Sequence, residues 1–191
     1  MPPITKFWHC TLKDEQSINS PLFQKLVGDI LDLTSSYPNP EGGTPLMHVL
    51  YQDINSPSRL FMITGYQSQE LNTEADGVYA EKYLPSMFEY VQHIWLRQLD
   101  LDVTALSLGE QVVLACGKNP SAWKDDKALG GWDVWPDTRQ AQKNTNSERG
   151  TRKLEDEHRV WVQVSRWEDG AVNSIQPTEG ERILLQKIAG K

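Results

Sequence analysis

Thr5-Lys6-Phe7-Trp8-His9-Cys10-Thr11-Leu12-Lys13 is a run of aromatic and β-favouring residues that ends at Asp14-Glu15, and it reads as a first strand. Alternation puts Trp8, Cys10 and Leu12 on one face and Phe7, His9 and Thr11 on the other. Next, Ser20 precedes Pro21, a cap residue followed by one suited to the first helical position. Leu22, Phe23, Leu26, Val27, Ile30 and Leu33 then recur at helical spacing as far as Ser35-Ser36-Tyr37-Pro38, which predicts an amphipathic helix. Beyond a turn cluster at Asn39 to Gly43, Pro45 to Gln52 and Arg59 to Gln67 read as two strands joined by a loop at Asp53 to Ser58. Glu74 to Arg97 has helical character, with Pro85 as a kink or a fresh start and Leu84, Phe88, Val91 and Trp95 along one side. Leu99, Leu101, Val103 and Ala105 alternate with Asp100, Asp102 and Thr104 as a half-buried strand does. Residues 1–106 thus spell β-α-β-β-α-β, the order of the ferredoxin-like unit.

The remainder, 107–191, is less regular. Gln111 to Ala115 reads as a strand entered by a tight return at Gly109-Glu110, and Val160, Val162 and Val164 alternate in another. Arg182 to Ile188 is a strand or a short helix, which periodicity alone leaves open. Asn119 to His158 is polar, and a loop at 136–157 is expected to be functional or mobile. Phe61 to Ser68 and Trp161 to Glu168 echo each other, each a strand followed by an aromatic residue and a polar stretch. A degenerate second repeat would explain the echo, and so would the common look of any two amphipathic strands.

Composition narrows the classes of function. The 191 residues are 38% hydrophobic and 24% charged, with a net charge of −7, a globular balance. No Lys/Arg block is longer than the short group Arg149, Arg152 and Lys153, so no nucleic-acid partner is expected. Apolar runs such as Gln111 to Cys116 fall far short of the roughly 20 residues that span a bilayer, and Met1 to Lys6 lacks a signal-peptide core. The expectation is a soluble cytoplasmic protein without a membrane partner. Cys10 and Cys116 make neither a disulfide framework nor a zinc set.

The β-α-β-β-α-β order, Gly130-Gly131-Trp132-Asp133-Val134 and Trp161-Val162-Gln163-Val164-Ser165-Arg166-Trp167 together resemble the dimeric α+β barrel superfamily, and more narrowly the fungal proteins of its antibiotic-biosynthesis-monooxygenase-like branch. That resemblance implies two four-stranded antiparallel sheets closed into a barrel, from a homodimer or from two repeats in one chain, with helices outside. The superfamily's activities include cofactor-free oxygenation of aromatic polyketides, polyketide cyclisation, decarboxylation, and chlorite or haem chemistry, so the fold leaves function open. Plant polyketide cyclases of this fold carry a His-Pro-x-His step near the second helix. Here the comparable stretch is Glu81-Lys82-Tyr83-Leu84-Pro85, and that catalytic histidine does not carry over.

Four histidines, His9, His48, His93 and His158, are the candidates for proton transfer. His9, flanked by Phe7 and Trp8, is either a core histidine with one hydrogen bond or a base with a shifted pKa. His93 sits at helical spacing from Tyr90 and Glu89, so the three meet on one face if the helix continues, either toward the sheet or in solvent. Tyr83 beside Pro85, together with Phe7, His48, Tyr66 and Trp132, are candidate walls of a substrate pocket. Trp123, Trp132 and Trp135 form either a lid over a cavity or a pin for the polar loop. No HxH, HxxxH or CxxC spacing, nucleophile elbow or phosphate loop occurs, so neither a metal nor another cofactor is expected. Asp100 and Asp102 read as a solvated face rather than a base pair.

The sequence thus points to an α+β barrel made of a ferredoxin-like repeat and a degenerate second one. Its expected activity is that of a cofactor-independent enzyme on a hydrophobic small molecule of secondary metabolism, polyketide or terpenoid in type. Cyclase, isomerase, decarboxylase and oxygenase chemistry all fit, and a non-catalytic binding or stress-response barrel is the alternative.

Overall fold

A strand with hydrophobic residues on both faces must be covered on both, and the first strand is built that way. In the computed structural model, which describes residues 3–37, 47–103, 108–119, 127–135, 159–167 and 180–190, β1 (Ile4–Leu12) lies between β3 (Arg59–Tyr66) and β4 (Val91–Leu99). The other elements are α1 (Pro21–Ser36), β2 (His48–Asp53), α2 (Gln69–Lys82), α3 (Leu84–Tyr90), β5 (Gln111–Gly117), β6 (Leu129–Trp132), β7 (Trp161–Arg166) and β8 (Glu181–Gly190). One antiparallel sheet holds all eight strands in the order β4-β1-β3-β2-β8-β5-β7-β6. Counted within each half of the chain, β8-β5-β7-β6 repeats the order of β4-β1-β3-β2.

The two edges of this sheet meet. Val134 N–H donates to the Gln98 carbonyl at 2.8 Å, and Gln98 N–H donates to Asp133 Oδ1 at 3.0 Å, so β4 and the end of β6 are joined and the sheet curls into a barrel. Joining the edges removes the unpaired backbone groups that an open sheet exposes. Gly130 fits here because a Cβ would come within 2.8 Å of the Val162 carbonyl oxygen on the neighbouring strand.

The sheet has two apolar faces. Its lumen is filled from both halves of the chain, among others by Phe7, Phe61, Leu99, Val112, Leu114, Val162 and Leu185. On the outer face of the first half, Cys10, Leu50, Leu60 and Met62 pack against Phe23, Val27, Ile30 and Leu31 of α1 and Met87 of α3. No described helix is long and apolar enough to cross a membrane.

Several expectations need correction. The helix expected over Glu74 to Arg97 is α2, then a short α3 with Pro85 in its first turn, then strand β4. A helix could not have paired the free edge of β1, and pairing prevails over the local pattern. The bulge between His9 and Cys10 leaves Ile94 without a partner on β1, so Val91 and His93 lie on the helix side while Trp95 and Arg97 face the lumen. The apparent helical stripe of Val91 and Trp95 is therefore split across the sheet, and Phe88 is 41% exposed. His93 is not on a helix face with Tyr90 and Glu89. The alternating stretch from Leu99 is not a strand, since β4 ends at Leu99, so Asp100 and Asp102 share no strand face. On α1, Leu22 is exposed and Leu31 is buried, and Ser20 makes no side-chain cap hydrogen bond. Arg182 to Ile188 is strand, lying between β2 and β5. The turn at Asn39 to Gly43, Ala105, Trp123, His158 and the loop at 136–157 lie outside the described residues.

Candidate functional site between helices and sheet

A cavity of about 350 Å³ opens between the first-half sheet and its helices, lined by β1, β3 and β4 on one side and α1, α2 and α3 on the other. Strand alternation selects the sheet residues that reach it: Lys6 and Trp8 from β1, Met62, Thr64 and Tyr66 from β3, and His93 and Leu96 from β4. The helices add Ile30 and Thr34, then Asp76, Tyr79 and Ala80, then Leu84 and Phe88. An apolar hollow with few polar groups is the common form of a small-molecule site.

Those few polar groups are placed with purpose. The indole N–H of Trp8 donates to Nδ1 of His93 at 2.9 Å. Only neutral imidazole has a lone pair there, so this bond puts the ring proton of His93 on Nε2. Lys6, 8% exposed, meets both carboxylate oxygens of Asp76 at 2.6 Å. Its ammonium also lies 5.5 Å from the Trp135 ring, so the cation is held on two sides. The Tyr79 hydroxyl is buried without a hydrogen-bond partner, and burial pushes both the Tyr79 and Tyr66 phenols above their ordinary range.

The expected site residues separate into two groups. His93 and Tyr66 line the cavity. His48 stands behind Tyr66 in a T-shaped contact at 5.4 Å, and burial lowers its pKa to about 4. Tyr83 packs into the apolar cluster under the helices, and Tyr90 does so against Phe23 with ring centroids 5.3 Å apart. Phe7 and His9 are on the lumen face, across the sheet from the cavity. Trp132 pairs with Trp161 at 5.4 Å on the second half of the sheet. Sequence reasoning missed Trp8 as the partner of His93, and missed Lys6 and Asp76. The alternation that places Trp8 and Lys6 on one face was legible, but the approach of α2 and the turn of His93 toward Trp8 were not. Among the described residues no three His, Cys, Asp or Glu side chains come together as a metal site.

No protein-family model matches the sequence, and no curated protein matches it. Solved structures do. A candidate monooxygenase from Fusobacterium nucleatum aligns with a TM-score of 0.55 and 10% identity, over 100% of this chain and 94% of that one. A candidate chlorite dismutase gives 0.51 and 11%, over 99% and 96%. An anthrone oxidase-like protein gives 0.50 and 9%, over 100% and 93%. At such identities the likeness is one of fold, and the described residues have the α+β barrel fold of these proteins.

Proposed function

We propose that this chain is a tandem α+β barrel, with residues 1–106 as a ferredoxin-like repeat and 107–191 as a degenerate one. In this reading the first repeat is an oxygenase-type enzyme acting on a hydrophobic, polycyclic phenol or enol of the polyketide or terpenoid class. The observation that carries it is the apolar cavity lined by His93, whose neutral ring the Trp8 indole N–H holds by Nδ1. An ionised phenol or enol can itself give electrons to dioxygen, so the protein's work is to bind the rings, hold the oxygen atom and exclude water. Trp8, Met62, Leu84 and Phe88 supply the ring surface, and His93 Nε2–H supplies the bond to the oxygen. The names of two structural neighbours, monooxygenase and anthrone oxidase-like, support this class of chemistry.

One observation favours the second reading, a barrel that binds without converting. His93 Nδ1 is engaged, Tyr66 and Tyr79 are pushed up by burial, and Asp76 is held by Lys6, so the cavity offers no free strong base. Anthrone with the purified chain in an oxygen electrode separates the two. Oxygen uptake above buffer, with quinone product, is the expected result. Trp8→Phe keeps the ring but removes the donor that orients His93, and should slow uptake about tenfold, the effect of one hydrogen bond. Saturable anthrone binding without oxygen uptake would establish the binding barrel. No binding would overturn both.

A further inference from the structure

The cavity under the helices exists because α2 brings little to fill it. Only Asn72 and Ala75 of that helix are buried, and the residues about a turn further on, Asp76, Tyr79 and Ala80, border the hollow. The sheet answers Asp76 with Lys6, which stands on β1 between Thr64 of β3 and Gln98 of β4. The Lys6 side chain is 8% exposed and that of Asp76 35%, and the ammonium meets both carboxylate oxygens at 2.6 Å. Trp135, from the second half of the chain, lies 5.5 Å from the same ammonium. Both members of the pair line the cavity, Lys6 as its only cation and Asp76 as its only carboxylate among the described residues.

An enolisable substrate has to lose a proton before dioxygen can draw electrons from it, and a positioned base speeds that loss. The other polar residues of the wall are engaged or unsuited. His93 Nδ1 accepts from Trp8, and the Thr34 hydroxyl donates to the Ile30 and Leu31 carbonyls. Burial keeps the Tyr66 and Tyr79 phenols protonated. Asp76 has what these lack, a carboxylate beside a fixed cation. An ammonium carries three N–H donors, so Lys6 has the capacity to hold a second anion while bonded to Asp76.

We propose that Asp76, braced by Lys6, is the base that takes the proton of an enolisable ketone, the keto form of the phenol or enol named above. This assignment rests on the reading of the cavity as an oxygenase site. In the step, a substrate C–H bond breaks, the proton forms an O–H bond on Asp76, and the electron pair stays on the ligand as its enolate. No oxidant enters here; dioxygen meets the enolate afterwards. The negative charge passes from Asp76 to a ligand beside Lys6, so the apolar hollow is never left with an uncompensated charge. A carboxylate suffices as base where the enolate it creates is held by a group already in place.

The test separates proton abstraction from oxygenation. Anthrone is incubated with the full chain in deuterated buffer with dioxygen removed, and the exchange of its methylene hydrogens is followed by mass spectrometry. Binding is measured alongside by quenching of tryptophan fluorescence. The wild-type chain should exchange anthrone about a hundredfold faster than buffer alone, and Asp76→Asn, which keeps an oxygen for Lys6 but is no base, should lose most of that gain. Asp76→Glu should retain it, and Asp76→Ser should lose it, which keeps the test standing if the asparagine variant does not fold. A pair that only pins α2 to the sheet would lower the Tm of Asp76→Asn and leave the exchange of bound anthrone unchanged, and that result would overturn the assignment. Binding without exchange in the wild-type chain would overturn it too, while the oxygen electrode decides the oxygenase reading by itself. Exchange lost in Asp76→Asn, with no oxygen uptake by the wild type, would uphold the base and overturn the oxygenase.

Discussion

His9 and His48 show at the scale of single residues what burial does on each side of this sheet. Both are lowered to about 4, chiefly by desolvation, with Arg59, Arg97 and His93 adding to the effect at His9 and the Gly65 backbone offsetting part of it at His48. Between pH 4 and the ordinary histidine value the unfolded chain binds protons that the folded chain refuses, so stability rises with pH through that window. Relative to neutral pH, each histidine costs the fold up to about 3 kcal/mol on acidification to pH 4 and below. Asp133 works in the opposite sense, since burial raises its pKa. Urea midpoints should therefore fall between pH 7 and pH 4.5, with a shallower fall in His48→Leu. A wild-type profile flat across that range would show that neither histidine is buried in its neutral form. The two cysteines are inert for the same physical reason, burial pushing both thiols up to about 12.

The elements differ in how plainly their sequences announce them. α1 was legible because Phe23, Val27 and Ile30 repeat at helical spacing behind Pro21, and the structure buries all three. The limits of that pattern are equally clear: Leu22 fits the stripe in sequence yet is 69% exposed. Leu22→Ser should change stability by less than about 0.5 kcal/mol, whereas Ile30→Ala should cost about 2–5 kcal/mol through the cavity it leaves. Equal losses in urea unfolding would mean that α1 packs by a different face. β4 was not legible, because a bulge shifts the alternation between His93 and Trp95 and leaves a spacing that imitates a helix. Only the presence of β1, with an edge to be paired, makes Val91–Leu99 a strand. The candidate site suffered accordingly, since His93 was matched with neighbours on a helix that does not exist instead of with Trp8 across the sheet.

For the whole molecule, closure of the barrel depends on a short seam. Asp133 Oδ1 accepts from the Gln98 and Trp135 backbones, and the Val134 amide returns a bond to Gln98. Asp133→Ala would leave Gln98 N–H, a buried donor, without its acceptor, and should cost about 2–3 kcal/mol. Asp133→Asn keeps an acceptor oxygen and should recover much of that loss. Amide exchange at Gln98 and Val134 checks this directly. Both should exchange faster in Asp133→Ala while the β1–β3 amides stay protected. Loss of protection throughout the sheet would mean that the seam and the rest of the barrel open together.

The sequence by itself determined the α+β class, the strands β1, β3, β5 and β7 and the helix α1, because alternation and helical spacing are local properties of the chain. It also determined that Trp8 and His9 point to opposite faces. Tertiary structure alone decided that the strand after α3 pairs with β1, that β8 is a strand joining the two halves, and that the edges meet at Asp133. It also put His93 with Trp8 at a cavity under the helices and set His9 apart in the lumen with Arg97. The physical reason is that strand pairing, bulge position and closure are fixed by partners far away in the chain, whose edges and apolar faces must be covered whatever the local pattern suggests.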